Sequence, residues 1–282
     1  MLDELLKEEC RKRKLRLESL SYRRDPADGS VRAYFLSPAQ ETHATIVFCH
    51  GFGNDALFPQ MPLLLKLAES GYAVLTFDLD GHGVGSSTKL YPEHLLSCIA
   101  DAVAFARSRV PQQALHLVGH SLGALLCLHT SVQANLNVRS MILISMPTDL
   151  RFSTSILFSE AVLTCMTGSF FRALGFFKTK FLPALGPLGR SRFPLRFTTK
   201  TREEGAKALA ETVSIWLGTY LRAPVPTLYI YGSWDKITPL RREALVLGEG
   251  DEVYCVRSET HLSTGSSRRV ESKILNWLEA HI

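Results

Sequence analysis

Ser121 sits at the centre of Gly119-His120-Ser121-Leu122-Gly123. An apolar run, Ala114-Leu115-His116-Leu117-Val118, leads into it, and Ala124-Leu125-Leu126-Cys127-Leu128 follows. The first run reads as a strand and the second as a buried helix, which places the serine on a strand-to-helix turn. Such a turn is cramped, so glycine is needed close to the serine, and the turn lifts the hydroxyl clear of the sheet. The first free N–H groups of the helix then point at any carbonyl brought to that hydroxyl. The chemistry implied is attack by a serine nucleophile.

A serine hydroxyl needs a base, and the base needs an orienting carboxylate. In an open parallel sheet the working loops lie at the carboxyl ends of the strands. Gly232-Ser233-Trp234-Asp235 follows one late strand-like run, and Glu259-Thr260-His261 follows the next. The chain order Ser121, Asp235, His261 is the serine–acid–histidine order of this architecture. Asp149, after the strand that follows the elbow, is a second position from which an acid could reach the histidine. Glu259 stands too close to His261 in sequence for that role. An oxyanion needs two backbone donors. One is the N–H of Leu122; the other is sought in His50-Gly51-Phe52-Gly53-Asn54, where Phe52 lies between two glycines that let the backbone turn inward. His50, Asp78 and His82 are read as residues that tie down turns by hydrogen bonding.

The elements that must position these residues alternate along the chain. Residues 3–14 are expected to form a short charged helix, followed by a hairpin from 15–22 and 31–36 with Asp28-Gly29 at its turn. Continuous β-rich runs then appear at 44–49, 72–77, 114–118, 141–144, 227–231 and 253–256. Helical spacing fills the gaps at 59–70, ending on Gly71, and at 95–106, ending before Pro111. A further helix is expected near Leu240–Leu247, and a last one carries Val270, Ile274, Trp277 and Leu278. Strands and helices in alternation predict an α/β fold: a mostly parallel sheet with helices on both faces.

The alternation breaks at Pro147. The interval 149–222 is too long for a loop and holds no strand-like run, so it is expected to be a helical cap on a core made of 1–148 and 223–282. Between Arg151 and Arg202 there are nine basic residues against one acid, Glu160, and nine of the chain's 15 phenylalanines. The phenylalanines could seat the cap on the core or supply apolar surface for an acyl chain, and the basic residues could meet anionic headgroups, which makes the cap a candidate for peripheral contact with an anionic membrane. The net charge of +5 is too slight to imply nucleic acid. The six cysteines are scattered through apolar runs without C-x-x-C and are expected to be reduced and buried. No H-E-x-x-H or comparable cluster suggests a metal, and Gly81-x-Gly83-x-Gly85 lacks the spacing of a dinucleotide loop, so no cofactor is expected. No apolar run reaches the roughly 18–20 residues that span a bilayer, and the acidic, amphipathic start lacks the marks of a signal peptide; a cytoplasmic protein is expected.

Taken together, His50-Gly51-Phe52-Gly53, Asp78-x-x-Gly81-His82-Gly83-x-Gly85-Ser86, the elbow, and Gly232-x-x-Asp235-x-Ile237-x-Pro239 followed by His261 resemble an α/β-hydrolase-fold serine hydrolase. The resemblance covers residues 44–148 and 224–282. It is similar to the monoacylglycerol lipase, lysophospholipase and carboxylesterase branch. It implies an eight-stranded α/β-hydrolase fold with the cap after the sixth strand, an ester substrate, a Ser-Asp-His triad and no cofactor. Leu122 departs from that branch, which often has methionine or glutamine there, and the cap carries no familiar motif. Serine at 121 departs from the dehalogenase and epoxide hydrolase branches, which use aspartate. The run after His261 lacks the H-x-x-x-x-D of an acyltransferase branch, which favours water as acyl acceptor. The expected activity is hydrolysis of a small-molecule ester or lipid with an apolar acyl group, through an acyl-enzyme, by a monomer or small homo-oligomer. An acyl thioesterase, depalmitoylase or amidase would use the same triad, and a non-catalytic binding protein on this fold is the alternative from another class.

Overall fold

Five strands of this chain are buried from end to end and mostly apolar, and the arrangement of helices follows from the need to cover them on both sides. The computed structural model describes residues 2–24, 29–83, 86–149, 153–177, 196 and 202–282. Helix α1 (Leu2–Lys12) buries Leu2, Leu5, Leu6 and Cys10 along one stripe. The antiparallel pair β1 (Arg16–Arg24) and β2 (Gly29–Ser37) follows, with Arg16 opposite Ser37 and Arg24 opposite Gly29. Then come β3 (Thr45–Cys49), α2 (Met61–Glu69), β4 (Ala73–Phe77), α3 (Leu95–Arg109), β5 (Leu115–His120), α4 (Leu122–Gln133) and β6 (Ser140–Ile144). After β6 stand α5 (Thr154–Cys165), α6 (Gly168–Phe177) and α7 (Arg202–Leu217), and the chain closes with β7 (Thr227–Gly232), β8 (Glu252–Val256) and α8 (Arg268–Glu279).

The eight strands form one sheet in the order β1-β2-β4-β3-β5-β6-β7-β8. The β1–β2 and β2–β4 pairings are antiparallel and all the others parallel. Every residue of β3, β4, β5, β6 and β7 is buried, as expected for strands with helices on both faces. Alternate side chains divide between the two layers. Ile46 and Phe48 join the α1, α2 and α8 side, and Val47 and Cys49 the α3 and α4 side, which also receives Leu209, Val213 and Trp216 of α7. Full burial of a leucine or phenylalanine contributes roughly 1.5–3 kcal/mol, whereas exposed ion pairs such as Lys7–Glu4 are screened by solvent and add little. The apolar layers therefore dominate the stability of the scaffold.

Two sequence expectations change. The segment near Leu240–Leu247 is not an α-helix: it holds a single short turn, Arg242–Ala244, and Val246 pairs in a parallel bridge with Arg222. Its apolar residues form no buried stripe, since Val246 and Leu247 are exposed, and the bridge keeps the chain extended. Of the cysteines, Cys10, Cys49, Cys98 and Cys127 are buried, but Cys165 at the end of α5 and Cys255 on the edge strand β8 are exposed. Within the stretch expected to be a cap, Arg151, Phe152, Lys178, Lys180, Phe181, Arg190, Arg192, Phe193, Phe197 and Lys200 lie outside the described residues. Among the described residues no single helix is long and apolar enough to cross a membrane; α5 and α6 satisfy that composition only as a pair bent by 79°.

Candidate active site

Ser121 occupies the joint between β5 and α4 with φ 53° and ψ −120°. A serine is rarely found in this region, and holding it there costs about 1–3 kcal/mol, which the surrounding structure must offset. Its N–H donates to the Ile144 carbonyl of β6 at 2.9 Å. The flanking glycines are needed for close approach: a Cβ on Gly119 would come within 2.5 Å of the Ala124 Cα, and one on Gly123 within 2.5 Å of the His50 carbonyl oxygen. Strand, helix and the loop after β3 therefore converge on the serine.

The loops after β7 and β8 meet at the same point. Asp235 lies in the turn after β7, where its Oδ1 accepts the N–H groups of Ile237 at 3.0 Å and Thr238 at 2.7 Å. That turn fixes the carboxylate and leaves Oδ2 to face His261 Nδ1 at 3.0 Å. On the other side of the ring, His261 Nε2 stands 2.9 Å from Ser121 Oγ. The pattern fits a ring that donates its Nδ1–H to Asp235 and accepts the serine proton at Nε2. The two loops are tied to each other by the Trp234 N–H, which donates to the Glu259 carbonyl at 2.9 Å. Burial opposes charge on both partners. For His261, burial is outweighed by the Asp235 carboxylate and Glu160 together, and the ring's pKa ends above the ordinary imidazole value. For Asp235, burial is likewise outweighed by His261 and by hydrogen bonds from Thr238, and the pKa is held below the ordinary carboxylate value.

The turn after β3 lies against the serine, since a Cβ on Gly51 would stand 3.0 Å from the Ser121 Cβ. Phe52, next in the chain, turns its ring outward onto His82, with centroids 5.7 Å apart. Leu122 is the first residue of α4, so its N–H is one that the helix leaves without an internal partner. His50 holds the turn: its Nδ1 is 2.8 Å from the Gly51 carbonyl, and its Nε2 accepts the Leu79 N–H at 3.0 Å. Asp78 accepts the Ala56 N–H at 2.8 Å, the Ser86 hydroxyl at 2.9 Å and the Arg32 guanidinium at 3.1 and 3.3 Å, joining β2, β4 and both neighbouring loops. His82 is buried with its Nδ1 2.9 Å from the Asp80 carbonyl.

Asp149 is placed elsewhere, in an ion pair with Arg241 at 2.7 Å. Glu259 accepts the hydroxyls of Ser169 and Ser263, both at 2.7 Å. Three residues join the site that sequence reasoning did not single out for it. Thr238 Oγ1 is 2.9 Å from Asp235 Oδ2 and 3.0 Å from His261 Nδ1, and its only sequence mark is its closeness to the acid. His120 packs its buried ring 5.2 Å from that of His261, and burial followed by the like charge of His261 pushes its pKa down to about 3. Glu160, on α5, reaches the loops of both Asp235 and His261, and in sequence it is marked only as a lone acid among basic residues. Among the described residues no group of three or more histidine, cysteine or acidic side chains is placed to hold a metal ion.

Comparison with known proteins gives a consistent picture of the scaffold. The model of the alpha/beta hydrolase family matches residues 46–273. The caffeoylshikimate esterase of Arabidopsis thaliana is 27% identical over 155 residues, which is 51% of this chain and 47% of that protein. The dihydrolipoyllysine-residue acetyltransferase component of the acetoin cleaving system of Cupriavidus necator is 35% identical over 104 residues, 36% of this chain and 26% of that protein. The chain thus covers less than half the length of the curated relatives it matches. A soluble variant of monoglyceride lipase from Saccharomyces cerevisiae, solved with a substrate analogue, shares the fold with a TM-score of 0.63 at 16% identity, over 94% of this chain and 95% of that one.

Proposed function

Because the chain belongs to the alpha/beta hydrolase family, we propose that it hydrolyses a carboxylic ester with an apolar acyl group, using Ser121, His261 and Asp235. The observation that carries this reading is the unbroken chain of contacts from Ser121 Oγ to His261 Nε2 at 2.9 Å and from His261 Nδ1 to Asp235 Oδ2 at 3.0 Å. Ser121 attacks the ester carbonyl while His261 takes its proton. Asp235 holds the ring in the tautomer that leaves Nε2 free and stabilises the imidazolium that forms. The backbone N–H groups of Phe52 and Leu122 receive the developing oxyanion, and each such donor is worth roughly 100- to 1,000-fold in rate. His261 passes the proton to the departing alcohol, and the acyl group remains on Ser121. Water, activated by the same histidine, then releases the acid.

The lipid setting is supported by the outward face of α5 and α6, where Leu157, Phe158, Val162, Met166 and Phe171 are exposed. The proposal gives this face the role of resting on a lipid surface. Of the basic residues expected to meet headgroups, Arg172 pairs with Glu271 at 3.1 Å, and Arg196 donates to the carbonyls of Thr88, Gly83 and His82. These two are engaged within the protein.

A fluorophosphonate probe is expected to label the protein and to lose that labelling in Ser121→Ala. Asp235→Asn should lower kcat by about 10,000-fold, the magnitude known for a triad aspartate, while Asp149→Asn leaves it nearly unchanged. Loss of activity only in the Asp149 variant would reassign the acid. On a series of p-nitrophenyl esters, turnover should rise from acetate towards medium acyl chains, and a sharp optimum at acetate would overturn the apolar acyl group.

A further inference from the structure

Helix α5 is built inside out. Its buried residues are Glu160 and Thr164, whereas Leu157, Phe158 and Val162 face outward at 46%, 71% and 45% exposure. Glu160 and Thr164 stand one turn apart on one face, and that face is pressed against the catalytic loops. A carboxylate that is only 1% exposed is stable there only if hydrogen bonds replace its water. Its partners are two backbone amides: Oε2 accepts the Lys236 N–H at 3.0 Å, and Oε1 accepts the Leu262 N–H at 3.3 Å. Lys236 follows Asp235, and Leu262 follows His261. One side chain therefore bridges the two loops, one residue beyond each member of the acid–base pair.

We infer that Glu160 is a positioning residue for the proposed reaction, clamping the Asp235 and His261 loops in register and setting a second negative charge behind the imidazole. The inference rests on the reading of Ser121, His261 and Asp235 given above. The rest of the contact fits the same purpose. Thr164 Oγ1 is 2.7 Å from Thr260 Oγ1, and Ser169 of α6 donates to Glu259 at 2.7 Å, so the seam between α5–α6 and the His261 loop is polar along its length. The titratable groups facing Glu160 are Asp235 and His261, and those facing His261 are Asp235, Glu160 and His120. Charge on His261 attracts the Glu160 carboxylate, so the clamp holds most firmly in the imidazolium form that accompanies attack. Burial raises the carboxyl's pKa, and the Lys236 and Leu262 amides resist that rise.

Glu160→Gln tests the clamp, because the amide keeps one acceptor, turns an NH2 towards the other N–H and removes the charge. The acid limb of kcat/KM against pH should move to lower pH by several tenths of a unit, because the imidazolium loses a favourable neighbour. The plateau of kcat/KM should also fall by about tenfold as the loops lose their register. Thr164→Val, on the same face of α5, should leave the limb where it is. A Glu160→Gln protein with a lowered plateau and an unmoved limb would show a structural role only and overturn the inference.

A second measurement leaves Glu160 in place and needs no turnover. In Ser121→Ala, the amide nitrogen shifts of Lys236 and Leu262 should titrate together with one midpoint above the ordinary glutamate value. Separate midpoints, or none, would overturn the clamp even if Glu160→Gln does not fold. If the wild-type protein neither labels with fluorophosphonate nor turns over esters, the functional reading fails. The shared titration would then still decide whether Glu160 joins the two loops.

Discussion

At the scale of single residues, the pH dependence of the site follows from His261. The ring must be neutral to accept the Ser121 proton, and its folded pKa lies above the ordinary 6.5 because burial, which lowers it, is outweighed by Asp235 and Glu160 together. The proton must therefore be removed at a higher pH than from a free imidazole. For kcat/KM on a soluble short-chain ester, the acid limb is expected to have its midpoint above 6.5. A midpoint below that value would mean that Asp235 does not carry the charge assigned to it. Ser121, Asp235 and His261 were legible in the sequence because the glycine spacing and the strand ends leave few other arrangements. Phe52 and Leu122 are proposed from the sequence as positions only, since an oxyanion donor there would be backbone and would need only the right turn. Thr238 and Glu160 were hidden for a physical reason: their partners are a neighbouring side chain and two backbone amides, which leave no pattern in residue types.

Among the elements, the strands that carry the site were readable because they are near-continuous apolar runs, which burial on both faces explains. The stretch 240–247 misled for the complementary reason: its leucines suggest a helix, but a single bridge from Val246 to Arg222 settles it as an extended connection. What holds the loops to these elements is polar. Asp78, at the end of β4, gathers Arg32 of β2, the Ala56 amide and Ser86. Asp78→Ala is expected to destabilise the fold by about 3 kcal/mol in urea unfolding, because a buried N–H and most of a guanidinium lose their acceptor. A loss below about 1 kcal/mol would mean that Asp3 and Asp55, which also lie within reach of Arg32, take over the pairing.

For the whole molecule, the alternation of strands and helices gave the layered sheet, but it could not say which way the helices that follow β6 face. An apolar helix is ordinarily taken to bury its apolar side, and α5 does the reverse because the loops beneath it are polar. The lipid reading is therefore tested on the outward face. The protein should sediment with phosphatidylcholine vesicles containing phosphatidylglycerol, and the double variant Phe158→Ser, Phe171→Ser should reduce the bound fraction several-fold while soluble esters are still hydrolysed. Binding that survives in the variant and vanishes in high salt would return the contact to the basic residues.

The sheet order also has a consequence for how the protein is made. Ser121, the proposed nucleophile, follows β5 in the middle of the sheet, and His261, the proposed base, comes 140 residues later, after the edge strand β8. A chain leaves the ribosome amino end first, and its early strands can pair before the late ones exist. During synthesis the elbow is thus a shaped but unarmed serine with no proton acceptor beside it. In the proposed reaction, reactivity towards acyl groups would arrive only once β7 and β8 have docked beside the elbow.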